Sequence, residues 1–148
     1  MTSISRLESV SSKLAEAFRQ ASLLKQRQAV LEACVVAVSR VGLEENEVNA
    51  AVEILRCGGD VNSSVREQLE KLAARFDDQY FELDEKGNEA TKLEALALFS
   101  KARAASALAF ALSENSGQLH EAVYEAITAM NDPAEVMRVV EKTLRSAA

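Results

Sequence analysis

Residues 30–38 read VLEACVVAV, and residues 104–112 read AASALAFAL. Each stretch is apolar on nearly every side, and the reading of the first decides the fold. Its valines suit a strand. No turn residue interrupts it, however, and it continues a helical pattern that begins at Gln26. A buried central helix is therefore the better reading, because a helix that is apolar all round belongs inside a core. Ala104–Leu112 repeats that character and supplies a second central helix.

Outward from the first stretch, Gly42 stands where a C′ glycine ends a helix running over about 25–39. A further helix over 44–56 buries Val48, Ala51, Val52 and Leu55 and keeps Glu44, Glu45 and Glu47 at the positive end of its dipole. Upstream, Ile4, Leu7, Val10, Leu14, Phe18, Ala21 and Leu24 recur at three- and four-residue steps, which predicts one helix over 4–24, with Ser5 and Glu8 at capping-box spacing. Gly58-Gly59-Asp60 reads as a loop. Ser64 and Glu67 open a fourth helix that turns Val65, Leu69, Leu72, Ala73 and Phe76 inward. The acidic segment Asp77–Asn88, which contains Gly87, is expected to break or bend that helix, with Tyr80, Phe81 and Leu83 either continuing it or forming a separate turn.

Outward from the second stretch, a helix over 89–113 carries Leu93, Leu96, Phe99, Ala102, Ala105, Leu108 and Leu112 on one stripe. Asn115-Ser116-Gly117 is a loop. A sixth helix over 118–130 points Val123, Ala126, Ile127 and Met130 inward. Asp132, Pro133 and Glu135 start a seventh helix as N-cap, first helical residue and capping-box partner, with Val136, Val139, Val140 and Leu144 on its core side. The expected fold is all-α: one domain (1–148), a compact bundle of about seven helices. It divides into an N-terminal helix (1–24), a first helical repeat (25–60), a middle helix and acidic loop (61–88), and a second repeat with a closing helix (89–148).

Composition agrees. The 148 residues are 48% hydrophobic and 27% charged, with five Gly and one Pro, and are rich in strong helix formers. Such a chain has enough apolar material for a core and too few turn residues for a many-stranded fold. The two central helices also end alike. Ala37-Val38-Ser39 matches Ala111-Leu112-Ser113, Gly42 matches Gly117 when the second loop is one residue longer, and Glu47 falls within one position of Glu121. Two helix–loop–helix units that cannot each bury an apolar side would do so face to face, so a pseudo-two-fold arrangement is expected.

The search for chemistry is mostly exclusion. The formal net charge of −6 opposes docking on nucleic-acid phosphates or anionic lipid and permits a basic partner or a cation. No apolar run approaches the roughly 20 residues of a membrane span, and Met1–Val10 lacks the pattern of a secretory signal, so a cytoplasmic location is expected. Cys34 reads as a buried small hydrophobe and Cys57 as a free thiol beside a helix end. Asp77, Asp78, Glu82, Asp84 and Glu85 read as a solvated acidic face, because Leu83 stands where an EF-hand loop starting at Asp78 needs Gly. His120, the one histidine, reads as a surface residue in a first helical turn. Glu121 and Glu125 read as ordinary i, i+4 surface neighbours. One histidine cannot supply the two Glu-x-x-His pairs of a four-helix di-metal site. The sequence thus predicts no catalytic, cofactor-binding or metal-ligating residue, and no enzyme.

The repeat resembles the TerB-like tellurite-resistance family. The likeness is carried by Ala37-Val38-Ser39-Arg40-Val41-Gly42-Leu43 with Glu47, by Ala111–Gly117 with Leu119, by Lys71-Leu72 through Phe76-Asp77, by Lys86-Gly87-Asn88-Glu89 with Leu96, and by Asp132-Pro133-Ala134-Glu135. The resemblance implies an internally repeated, all-helical cytoplasmic protein of stress resistance that works through partner and cation binding rather than catalysis. The family's Asp before each Gly is replaced here by Val41 and Ser116, which removes charge and ligand oxygens together. Weak divalent-cation binding is therefore disfavoured, and a protein partner is the expected ligand. The alternative is a small acidic helical adaptor or chaperone unrelated to tellurite.

Overall fold

The computed structural model describes residues 6–57, 63–113 and 115–146. Ile4, Ser5, the expected loop Gly58-Gly59-Asp60 and the side chain of Ser116 lie outside that description. Among the described residues there are eight α-helices and no strand: α1 (Arg6–Val10), α2 (Ser12–Gln20), α3 (Leu23–Val41), α4 (Asn46–Arg56), α5 (Ser63–Lys86), α6 (Glu89–Ala111), α7 (Leu119–Thr128) and α8 (Ala134–Arg145), with a 3₁₀ turn at Ser116–Gln118.

The core forms where α3, α6 and α7 meet, and α8 packs along α3. Val30, Ala33, Cys34 and Ala37 of α3 and Ala104, Ala105, Ala107 and Leu108 of α6 are buried there. Both central stretches are helical, but they are not enclosed alike. Leu108 is fully covered, whereas Val35 is only half-buried, because Glu32, Ser39 and Arg40 put one side of α3 in solvent.

The single helix expected over 4–24 is two helices, and Leu24 belongs to a third. Ser11 takes an extended backbone (φ −159°, ψ 110°), and its hydroxyl accepts the Leu14 N–H at 3.1 Å, so it caps α2 instead of continuing α1. Ser22 caps α3 in the same way, accepting from the Lys25 N–H at 3.2 Å. Leu7, Leu14, Ala15 and Phe18 are buried as expected, but Val10 and Leu24 are exposed.

The acidic segment does not interrupt its helix. α5 starts at Ser63, which places Ser64 inside the helix rather than at its cap, and continues through Asp77, Tyr80 and Phe81 to Lys86. Gly87 ends it in the left-handed region (φ 63°), and its N–H bonds the Asp84 carbonyl. The Asn88 side chain then accepts the Thr91 N–H at 2.9 Å and starts α6. The result is a long antiparallel hairpin. Leu69, Leu72, Ala73 and Phe76 bury its base, while most residues from Asp78 to Ala97 are exposed.

The two units of the sequence repeat share a helix–loop–helix order but differ in detail. Gly42 ends α3 at φ 75°, a true left-handed cap. Gly117 sits in the 3₁₀ turn without a positive φ, its N–H held by the Asn115 side chain at 2.9 Å. α7 packs broadly on both α3 and α6, whereas α4 makes smaller contacts with α3, α5 and α6. At the closing helix, Asp132 accepts the Ala134 N–H at 3.0 Å, but Glu135 does not complete a capping box. It pairs instead with Arg40 at 2.7 and 2.8 Å.

Candidate interaction surface

One row of α6 runs Leu93, Ala97, Ser100, Ala104, Ala107, Ala111, in alternating steps of four and three that keep a helix seam on one side. Over its second half this seam is covered by the bundle, and Ala104, Ala107 and Ala111 are buried. Over its first half the cover stops. Leu93 is 77% exposed and Leu96 beside it 49%. The stripe predicted to be buried from Leu93 to Leu112 is thus buried only from Ala102 onward, and Phe99 is partly exposed as well.

The open seam forms one wall of a groove of about 490 Å³. The opposite wall is Val41 at the end of α3 and Met130 in the α7–α8 connection, and the Arg40–Glu135 ion pair stands at the rim. Val41 contributes an apolar surface to this groove. Around the groove the hairpin is strongly acidic. Residues 76–100 hold seven acids and two lysines, which accounts for five of the chain's six net negative charges. Asp78, Glu82, Asp84 and Glu85 are exposed, but Asp77 is taken up by Arg103 at 2.8 Å.

A second cluster lies between α1, α5, α6 and α7. Glu125 is 3% exposed, the one buried charged side chain among the described residues. It accepts from Arg6 at 3.2 Å and Arg103 at 3.3 Å. Arg6 also binds Glu121 through Nε at 2.8 Å and stacks over the Tyr124 ring at 4.4 Å. Burial pushes the Glu125 carboxyl above its ordinary range, against the pull of the two guanidiniums. Glu121 and Glu125 are therefore not the plain surface pair the spacing suggested. The sequence signal was available: Glu125 stands three residues after Ala122 and next to Ala126, both fully buried. Every carboxylate in the cluster meets an arginine, so its chemistry is that of a structural tie.

The remaining candidates are placed separately. Glu47 sits half-buried in the first turn of α4 and Ser116 opens the 3₁₀ turn. His120 pairs with Glu121 at 3.1 Å. Cys34 is enclosed, with its thiol pushed up to about 12 by burial, and Cys57 is exposed and free. Among the described residues no three His, Cys, Asp or Glu side chains gather where a metal ion could be held, and no helix is long and apolar enough to cross a membrane. The chain matches no family model, no curated protein and no solved structure.

Proposed function

We propose that the protein is a non-catalytic helical interaction module, in the stress-response role that the TerB-like resemblance implies, and that it holds a basic amphipathic helix of a protein partner in the groove beside the α5–α6 hairpin. The observation that carries this reading is the abrupt exposure of Leu93, and of Leu96 beside it, at one end of a seam whose continuation is core. A partner helix would extend the cover that the bundle gives to Ala104–Ala111, following the i, i+3, i+4 pattern of helix-in-groove recognition. The acidic hairpin favours a basic occupant, and complementary charge would speed its encounter. With Val41 and Ser116 neutral, cation binding is not part of the proposed role.

Leu93→Glu with Leu96→Glu tests the site, since both side chains already face solvent. The double variant keeps the wild-type helix content and melting temperature but loses a synthetic Lys/Leu amphipathic helix that the wild type binds. It also loses the proteins that co-purify with the wild type from native cells. Equal binding by both forms overturns the proposal. A calorimetric titration with Ca²⁺ checks the second element: no binding is expected at micromolar metal, and clear heat there overturns the loss of the cation role.

A further inference from the structure

The far end of the α3–α8 pair carries the opposite charge. The two helices run antiparallel: Arg40 near the end of α3 meets Glu135 at the start of α8, and Lys25 near the start of α3 binds Ser146 and the Thr143 carbonyl at the end of α8. Toward that second end lies a groove of about 770 Å³ between α3, α4 and α8. Its apolar surface includes Leu24, which is 62% exposed, with Leu31, Leu55 and Val139. Arg27, Arg56 and Lys142 stand over it against one acid, Glu32. Arg27 and Lys142 make no ion pair among the described residues, and Arg56 has only Glu53, at 3.8 Å, with both side chains exposed.

The hairpin carries an exposed aromatic side chain in a setting of opposite charge. Phe81 on α5 is 61% exposed, its ring held edge-on against Tyr80 at 5.3 Å. On a helix its surface neighbours are the residues three and four positions away, which here are Asp77, Asp78, Asp84 and Glu85. Phe81 is thus an exposed aromatic knob flanked by the exposed carboxylates of Asp78, Asp84 and Glu85, Asp77 being held by Arg103. It cannot reach the basic groove of its own chain. α5 packs on α6 and touches α4, and Phe81 lies about five turns, roughly 27 Å, along α5 from its start.

We infer that the chain binds further copies of itself head to tail, with Phe81 of one copy seated among Leu24, Leu31, Leu55 and Val139 of the next and the neighbouring Asp78, Asp84 and Glu85 facing Arg27, Arg56 and Lys142. This inference stands independently of the partner groove at Leu93. The knob and the socket are different surfaces, so the contact is heterologous and leads to rings or open chains rather than a closed two-fold dimer. Charge complementarity makes it sensitive to salt.

Sedimentation of the full chain across a concentration series tests this, at low and high salt (about 0.05 M and about 0.5 M). The wild type grows in mass with concentration at low salt, and high salt weakens that growth. Phe81→Ser removes the knob; Arg27→Glu with Lys142→Glu removes the socket. All three positions are exposed, so both variants fold. Each alone sediments as a monomer, and an equimolar mixture forms a one-to-one dimer and grows no further, because one intact knob meets one intact socket. A wild type that stays monomeric at low salt overturns the inference, as does assembly of either variant alone or a mixture that remains monomeric. A wild type that stays monomeric while its socket takes up an acidic helical peptide overturns it too, and assigns the groove to another protein. None of these outcomes bears on the Leu93 groove, which the double glutamate variant tests separately.

Discussion

Glu125 shows what a single buried charge does in this bundle. It holds Arg6 of α1 and Arg103 of α6, and Arg103 reaches on to Asp77 of α5, so four helices meet on one chain of charge-assisted bonds. Removing the carboxylate leaves two guanidiniums without their inner partner. Glu125→Ala should therefore destabilise the protein by about 3 kcal/mol, at the lower end for a broken buried pair, measured by urea denaturation. The pH dependence has a definite sign. Burial raises the Glu125 pKa on folding, so the native state holds this proton more tightly than the unfolded chain. The stability contributed is present below the ordinary glutamate range and is lost as pH rises through the raised value. Wild type should accordingly lose stability relative to Glu125→Gln from acid toward neutral pH; a constant difference would contradict the shift. Glu135 has the opposite sign, because Arg40 lowers its pKa. Its contribution is lost as pH falls through the lowered value, and with Arg40 exposed the pair adds little.

At the scale of elements, Gly42 and Gly117 look equivalent in sequence and are not. A Cβ at Gly42 meets open space, so the whole effect of Gly42→Ala is the cost of φ 75° for an L-residue, about 1 kcal/mol. The expected result is a lower urea midpoint with an unchanged slope. A Cβ at Gly117 would stand 3.0 Å from the Asn115 carboxamide oxygen, a flexible group that can move, so that substitution should cost less. An equal loss at both positions would mean the two loops are built alike. The same distinction explains what was legible in the chain. Periodicity located α3, α4, α6, α7 and α8 to within a few residues, because an apolar stripe is written locally. Periodicity does not reveal the cap at Ser11, because the stripe from Leu7 to Phe18 keeps its period across the break. Asp77–Asn88 reads as a break or bend from its acids and Gly87 together, although acids are tolerated in a helix and only Gly87 supplies the backbone that ends one. The candidate site was hidden for a different reason. The Leu93–Ala111 seam is visible in the sequence, but how far the bundle covers it depends on where Val41 and Met130 lie, and that is set by tertiary packing alone.

For the molecule as a whole, the question is whether the first two helices belong to the core or decorate it. α1 packs on α7 and α2 on α8, so the N-terminal segment covers part of each of those helices. Leu7 and Leu14 are fully buried and Phe18 nearly so. At about 1.5–3 kcal/mol for each large apolar side chain, these three contribute on the order of 5–9 kcal/mol as an upper bound. The total stability of a domain is typically about 5–15 kcal/mol, so their loss removes a large share of it. Deletion also takes Arg6 away from Glu125, which leaves that carboxylate with Arg103 alone. A chain beginning at Leu23 should therefore keep much of its helix content by circular dichroism. It should lose the cooperative thermal transition and bind a hydrophobic dye at the exposed faces of α7 and α8, the signature of a collapsed state without fixed packing. A sharp transition within a few degrees of the full chain would instead make α1 and α2 an appendage and place the folding unit entirely within α3–α8.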